Sequence, residues 1–202
     1  MKILASIATA LFCATAAPAV QAEPYTIFLL DVSGSMDYPV ASGKRIDRAK
    51  EALLDVFASG QYPDAELIMW NSGKIREGYG SGAQLASQVR SAPRGHQGSL
   101  LGSAFQSISD NGYQCAHIVF VTDEYPDDWV DYQDALNNLL LRGGQNTVTV
   151  FVVEHAEARY YAGRFSTAVA SSRYRVVDGS QQDSLAAYLA ANPPLDACGA
   201  LS

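Results

Sequence analysis

The sequence is short of charge, short of cysteine and short of cations relative to anions. Only 17% of its 202 residues are charged, whereas 48% are apolar. A chain of that balance can offset its ordering entropy by burial, which excludes an extended disordered tail. Lys and Arg number 14 against 21 Asp and Glu, for a formal charge of −7. This deficit of positive charge excludes a general electrostatic footprint for nucleic acid or an anionic membrane surface. Three cysteines are too few for a scaffold built from disulfides. The sequence also lacks a Walker loop, a G-x-S-x-G elbow and a Gly-rich dinucleotide fingerprint. Its histidines, His96, His117 and His155, lack zinc-site spacing. No repeat, low-complexity run or interdomain linker divides the chain, and its length suits one domain.

Residues 1–22 read as a secretory signal. Lys2 supplies the positive end, residues 3–17 are almost wholly apolar or small, and Val20-Gln21-Ala22 offers a small-residue cleavage site. Ser6, Thr9, Thr15 and Pro18 interrupt the run, which is short for a membrane anchor. The bulky Phe12 before Cys13 argues against a lipoprotein. The expectation is a bacterial export product, periplasmic or secreted, with residues 23–202 forming a single domain and a C-terminal tail, and no membrane span. Cys115 and Cys198 remain after cleavage. An even pair in an oxidising compartment predicts one disulfide tying the tail to the body.

Apolar runs of strand length alternate with helical patterns through the rest. Residues 25–30 (YTIFLL), 116–121 (AHIVFV) and 147–153 are continuous apolar runs, as expected of strands covered on both faces. Shorter strands are predicted at 66–70 and 174–177, with an edge strand at 74–77. Helices are predicted at 45–58, 82–90, 100–109, 129–142, 158–171 and 184–191; the first carries Ile46, Ala49, Leu53, Val56 and Phe57 at helical spacing. The alternation predicts an α/β fold, a doubly wound, mostly parallel sheet flanked by helices on both faces, Rossmann-like in outline. Ligands of such sheets bind beyond the carboxyl ends of the strands.

The first strand runs into Asp31-Val32-Ser33-Gly34-Ser35, a carboxylate and two hydroxyls at alternate positions of a turn. The strand at 116–121 runs into Thr122-Asp123-Glu124, which aims Asp123 at the same edge. Between them, Ser99 lies in a Gly-flanked loop opening a helix, with Ser103 as an alternative third hydroxyl. Oxygen-only donors of this kind suit a hard divalent cation, Mg²⁺ or else Mn²⁺ or Ca²⁺.

In the order Asp31-x-Ser33-x-Ser35, Ser99, Asp123, the chain resembles the von Willebrand factor type A (vWA) domain over about residues 24–190. The resemblance implies a metal-ion-dependent adhesion site. Ser33, Ser35 and the third hydroxyl would coordinate the ion directly, Asp31 and Asp123 would act mostly through waters, and a partner's Asp or Glu would complete the shell. Two positions depart from the family pattern. Ser99 stands where the family has Thr, and Glu124 where Gly is usual after the last Asp.

Other residues have plainer readings. His117 is expected as a hydrogen-bonded core residue, and His96 as a surface or rim residue. Asp127 and Asp128 are expected to cap the helix beginning near Trp129. Tyr38, Tyr125 and Trp129 could line a partner-binding rim or pack as partly buried residues. The basic-aromatic stretch 159–164 is too small to imply nucleic acid.

The leading expectation is therefore a non-enzymatic protein-binding module working by ion bridging inside a larger complex. One alternative is a Mg²⁺-dependent phosphatase-like hydrolase using Asp31 as nucleophile. Ser33 argues against it, because it stands where that chemistry wants a second Asp. The other alternative is a degenerate, purely structural subunit of an envelope assembly.

Overall fold

The computed structural model describes residues 25–41, 43–95, 98–123, 126–142, 145–153 and 173–194. The expected signal, the helix at 158–171, the stretch 159–164, His96, Glu124, Tyr125, His155 and Cys198 lie outside the described residues, as does the side chain of Trp129.

The described strands are β1 (Tyr25–Asp31), β2 (Pro39–Val40), β3 (Gly43–Lys44), β4 (Ala65–Trp70), β5 (Lys74–Gly80), β6 (Ala116–Thr122), β7 (Thr147–Val152) and β8 (Tyr174–Asp178). The helices are α1 (Arg45–Ala58), α2 (Gly82–Arg90), α3 (Leu101–Asp110), α4 (Trp129–Asn137) and α5 (Leu185–Ala191). Six strands form one sheet in the order β5-β4-β1-β6-β7-β8. All neighbours run parallel except β5, which returns antiparallel along β4 as the edge strand. The expected doubly wound α/β fold is thus observed.

The apolar run of β1 is continuous because both of its faces are covered. Phe28 and Leu30 pack into a core with Leu53, Phe57, Leu85 and Leu189 of α1, α2 and α5. Ile27 and Leu29 pack on the other side with Phe105, Ile108, Tyr132 and Leu136 of α3 and α4. All four β1 side chains are fully buried.

Strand β1 lies between β4 and β6, so the chain winds to one side of β1 and then crosses to the other. The reversal opens a crevice at the carboxyl ends of β1 and β6, where such sheets bind ligands. Asp31 ends β1, and Asp123 directly follows β6.

Two features differ from expectation. The predicted helix at 129–142 is α-helical only to Asn137 and widens into a π-turn over Asn138–Arg142. There the buried Asn146 side-chain amide donates to the Leu139 carbonyl at 3.2 Å and to the Tyr113 carbonyl at 2.8 Å. The small β2–β3 hairpin was not predicted, because two-residue strands carry no periodicity to read.

Candidate metal centre

The first loop leaves β1 with its backbone held. Val32 N–H donates to the Trp70 carbonyl at 2.8 Å, and residues Gly34–Asp37 then form a 3₁₀ turn anchored by the fully buried Met36. Asp31 is completely buried. Its Oδ1 accepts the Ser33 N–H at 2.8 Å, and its Oδ2 accepts the Thr122 hydroxyl at 2.7 Å. The Ser33 and Ser35 hydroxyls are 3.1 Å apart, and Ser35 Oγ donates to Asp123 Oδ1 at 3.2 Å. One hydrogen-bonded chain therefore joins Ser33, Ser35 and Asp123, and the two carboxylates are close enough to repel. Burial, and then the charge of Asp123, push the Asp31 carboxyl up to about 7, against the opposing pull of its hydrogen bonds from Thr122 and Ser33.

Ser99 stands on the adjoining loop. Its N–H donates to Asp127 Oδ2 at 2.7 Å, and its carbonyl accepts the Asp127 N–H at 2.7 Å. The next residue, Leu100, donates its N–H to the Asn71 carbonyl at 3.0 Å. Earlier in the same loop, Gly95 lies flat against the first loop. A Cβ there would fall 1.8 Å from the Ser33 carbonyl oxygen, a contact that only glycine avoids. The Ser99 hydroxyl itself is buried and has no hydrogen-bond partner. Ser103, the alternative third hydroxyl, is exposed on α3 and lies 3.4 Å from Asp128 Oδ2. Of the two, Ser99 has the buried hydroxyl left without a partner.

Asp127 and Asp128 do not cap α4 as expected. Asp128 precedes α4 but makes no side-chain cap there. Its carboxylate instead accepts the N–H groups of Gly102 and Ser103, each at 3.0 Å, at the start of α3. The physical reason is the close approach of the two helices. A Cβ on Gly102 would lie 2.4 Å from the Tyr132 backbone nitrogen, so the open donors of α3 fall beside the loop that begins α4.

Arg45 is a participant that sequence reasoning missed. It opens α1, and the β2–β3 hairpin turns it back over the first loop, where its N–H donates to the Tyr38 carbonyl at 3.1 Å. Its guanidinium donates to Asp123 Oδ2 at 2.7 Å and lies 5.5 Å from the centre of the Tyr38 ring. Tyr38 is 59% exposed, so of the expected rim aromatics it is one that the structure places at the surface beside the cluster. Thr122 was noted only as the neighbour of Asp123, yet its hydroxyl orients Asp31. His117 is buried within β6 as expected, with Nε2 3.1 Å from the Thr149 hydroxyl.

Among the described residues, no three His, Cys, Asp or Glu side chains gather into a metal cluster. A cation held here would rest on two carboxylates and three hydroxyls. That donor set fits a hard ion. The unpartnered Ser99 hydroxyl and the charge of Asp123 acting on the buried Asp31 are the features a cation would satisfy.

No family model matches the sequence, and no curated protein matches it. Solved structures do, and those neighbours are vWA-type domains. The manganese-loaded TRAP protein of Plasmodium vivax matches with a TM-score of 0.56 at 18% identity, over 83% of this chain and 72% of that one. The pilus adhesin SpaC of Lactobacillus rhamnosus GG matches with a TM-score of 0.57 at 16% identity, over 84% of this chain but 29% of the adhesin. An aerotolerance-related membrane protein of Bacteroides fragilis matches with a TM-score of 0.52 at 16% identity, over 65% of this chain and 68% of that one. At these identities the likeness is one of fold, and the fold is vWA-like.

Proposed function

We propose that this chain is an exported protein-binding module that recognises a partner carboxylate through a bound divalent cation. The observation that carries the reading is the buried Ser99 hydroxyl, left without a partner beside a hydrogen-bonded set of Asp31, Ser33, Ser35 and Asp123. These five residues would hold Mg²⁺, or Mn²⁺ or Ca²⁺. The ion would supply a Lewis-acidic position for an Asp or Glu of the partner. Thr122 and the Ser33 N–H hold Asp31 in place, and Asp127 fixes the backbone on both sides of the Ser99 α-carbon. A manganese-loaded neighbour of the same fold supports a divalent ion, and an adhesin among the neighbours supports a protein partner.

The reading extends to a bacterial envelope or secreted location and to work within a larger assembly. It includes a disulfide between Cys115 and Cys198. These are the two cysteines beyond the expected signal. The hydrolase alternative has little support. Asp31 is fully buried and hydrogen-bonded at both oxygens, and Ser33 stands where that chemistry wants a second Asp. Among the described residues no helix is long and apolar enough to cross a membrane.

The test is a pull-down from bacterial envelope extracts with and without EDTA. Capture should disappear with EDTA, return with Mg²⁺ or Mn²⁺, and be lost in Asp31→Ala and Ser33→Ala chains that still fold. Capture that survives chelation and both substitutions would refute the reading, and phosphatase turnover lost in Asp31→Asn would favour the enzyme instead.

A further inference from the structure

Asp123 is completely buried, and the group neutralising its Oδ2 is the Arg45 guanidinium at 2.7 Å. The Arg45 side chain is 14% exposed. The same nitrogen lies 3.5 Å from the Ser35 carbonyl, and the Ser35 hydroxyl donates to the other oxygen of Asp123. The positive charge of Arg45 therefore stands within the cluster that a cation would occupy.

We infer that Arg45 is an internal counter-cation that competes with a divalent ion for Asp123 and so sets how tightly the site takes that ion. The inference rests on the metal-binding reading above and deepens it. A guanidinium and a doubly charged ion repel each other when they share one carboxylate, so uptake of the ion requires Arg45 to loosen its hold on Asp123. The Arg45 side chain is partly exposed, so the charge can move outward into water. Where it stands now, the face of the Tyr38 ring helps hold it against Asp123. Arg45 is also the first residue of α1, where its side chain can swing without disturbing the interior of the helix.

The test is a calorimetric titration of Mn²⁺ into the full exported chain, its Arg45→Met variant and its Tyr38→Ala variant. Arg45→Met is expected to bind Mn²⁺ at least about tenfold more tightly than the unmodified chain, because the competing charge-assisted hydrogen bond is gone. Uptake by Arg45→Met alone also supports the inference. Equal or weaker affinity in Arg45→Met, with clear uptake by the unmodified chain, overturns the competition and leaves the metal site standing. Uptake by none of the chains at millimolar Mn²⁺ overturns both. Should Arg45→Met fail to fold, Tyr38→Ala decides. Loss of the ring that helps fix the guanidinium is expected to tighten binding about two- to fivefold, and unchanged affinity overturns the inference.

Discussion

At the carboxyl end of the sheet, Asp31 shares buried space with Asp123. At the amino end, Glu66 of β4 shares it with two tyrosines. The Glu66 carboxylate accepts hydroxyls from Tyr25 at 3.1 Å and Tyr113 at 2.8 Å. The Tyr25 ring stacks on those of Tyr79 and Tyr113, with centroids 6.1 and 5.4 Å away. Burial and the neighbouring Glu77 raise the pKa of Glu66, and burial together with Glu66 pushes the Tyr113 phenol up to about 12. The phenols at this end are large, stacked and already committed to the acid. The hydroxyls at the other end are small, one of them is unpartnered, and the second carboxylate is balanced by a charge from another element. Burying an acid is therefore not enough to mark a binding site. What differs is whether the surrounding donors are used up.

The largest expected effect breaks the balance at the carboxyl end. Asp123→Ala leaves the mostly buried Arg45 without that carboxylate, which should cost about 3–5 kcal/mol in urea unfolding. The matching substitution at the amino end is Glu77→Ala. It removes an exposed pair with Lys74 and the acid beside Glu66, and should change stability by less than about 1 kcal/mol.

Acid should weaken the amino end next. Burial, and then Arg175, depress His117 from its usual 6.5 to about 4. Between these values the unfolded chain binds a proton that the folded chain does not. The contribution of His117 to stability is thus complete above pH 6.5 and falls as the pH drops toward 4, by up to about 3 kcal/mol, while the raised carboxyl of Asp31 acts in the opposite direction below pH 7. The difference in unfolding midpoint between the unmodified chain and His117→Gln should therefore change across that window, with the unmodified chain losing more as the pH drops.

A cation should act on the carboxyl end alone. Mn²⁺ at a hundredfold over its dissociation constant should raise the melting temperature by about 5–10 °C. Asp31→Asn should abolish that rise, and Glu66→Gln should leave it intact. The smallest effect is that of Glu66→Gln on stability itself. The amide oxygen still accepts from both phenols, so the change at neutral pH should stay under about 1 kcal/mol in the same unfolding assay.

The elements that the sequence made legible are those with a strong internal period. Helices α1 and α2 span 45–58 and 82–90, as their apolar spacing predicts, and the core strands differ from expectation by a residue or so at their ends. The set of Asp31, Ser33, Ser35 and Asp123 was legible because each residue sits at or just after a buried strand, and strand order alone brings those ends together. Arg45 was not, since its place depends on the β2–β3 hairpin, whose strands are too short to leave a pattern. Asp127 and Asp128 were assigned to the nearer helix in sequence. Asp128 serves α3 instead and Asp127 the Ser99 loop that leads into it, both brought near because Gly102 lets α3 touch α4.

The contact of Gly95 with the Ser33 carbonyl has a consequence for how the gene tolerates change. The position has no side chain to offer a ligand, and a search for chemically functional residues would pass over it. Yet one added methyl group would have to displace the backbone of the serine loop or the segment leading to Ser99. In a saturation mutagenesis screen for binding, Gly95 should therefore score with Asp31 and Ser33, because the vacancy it provides is as much a part of the site's shape as any oxygen.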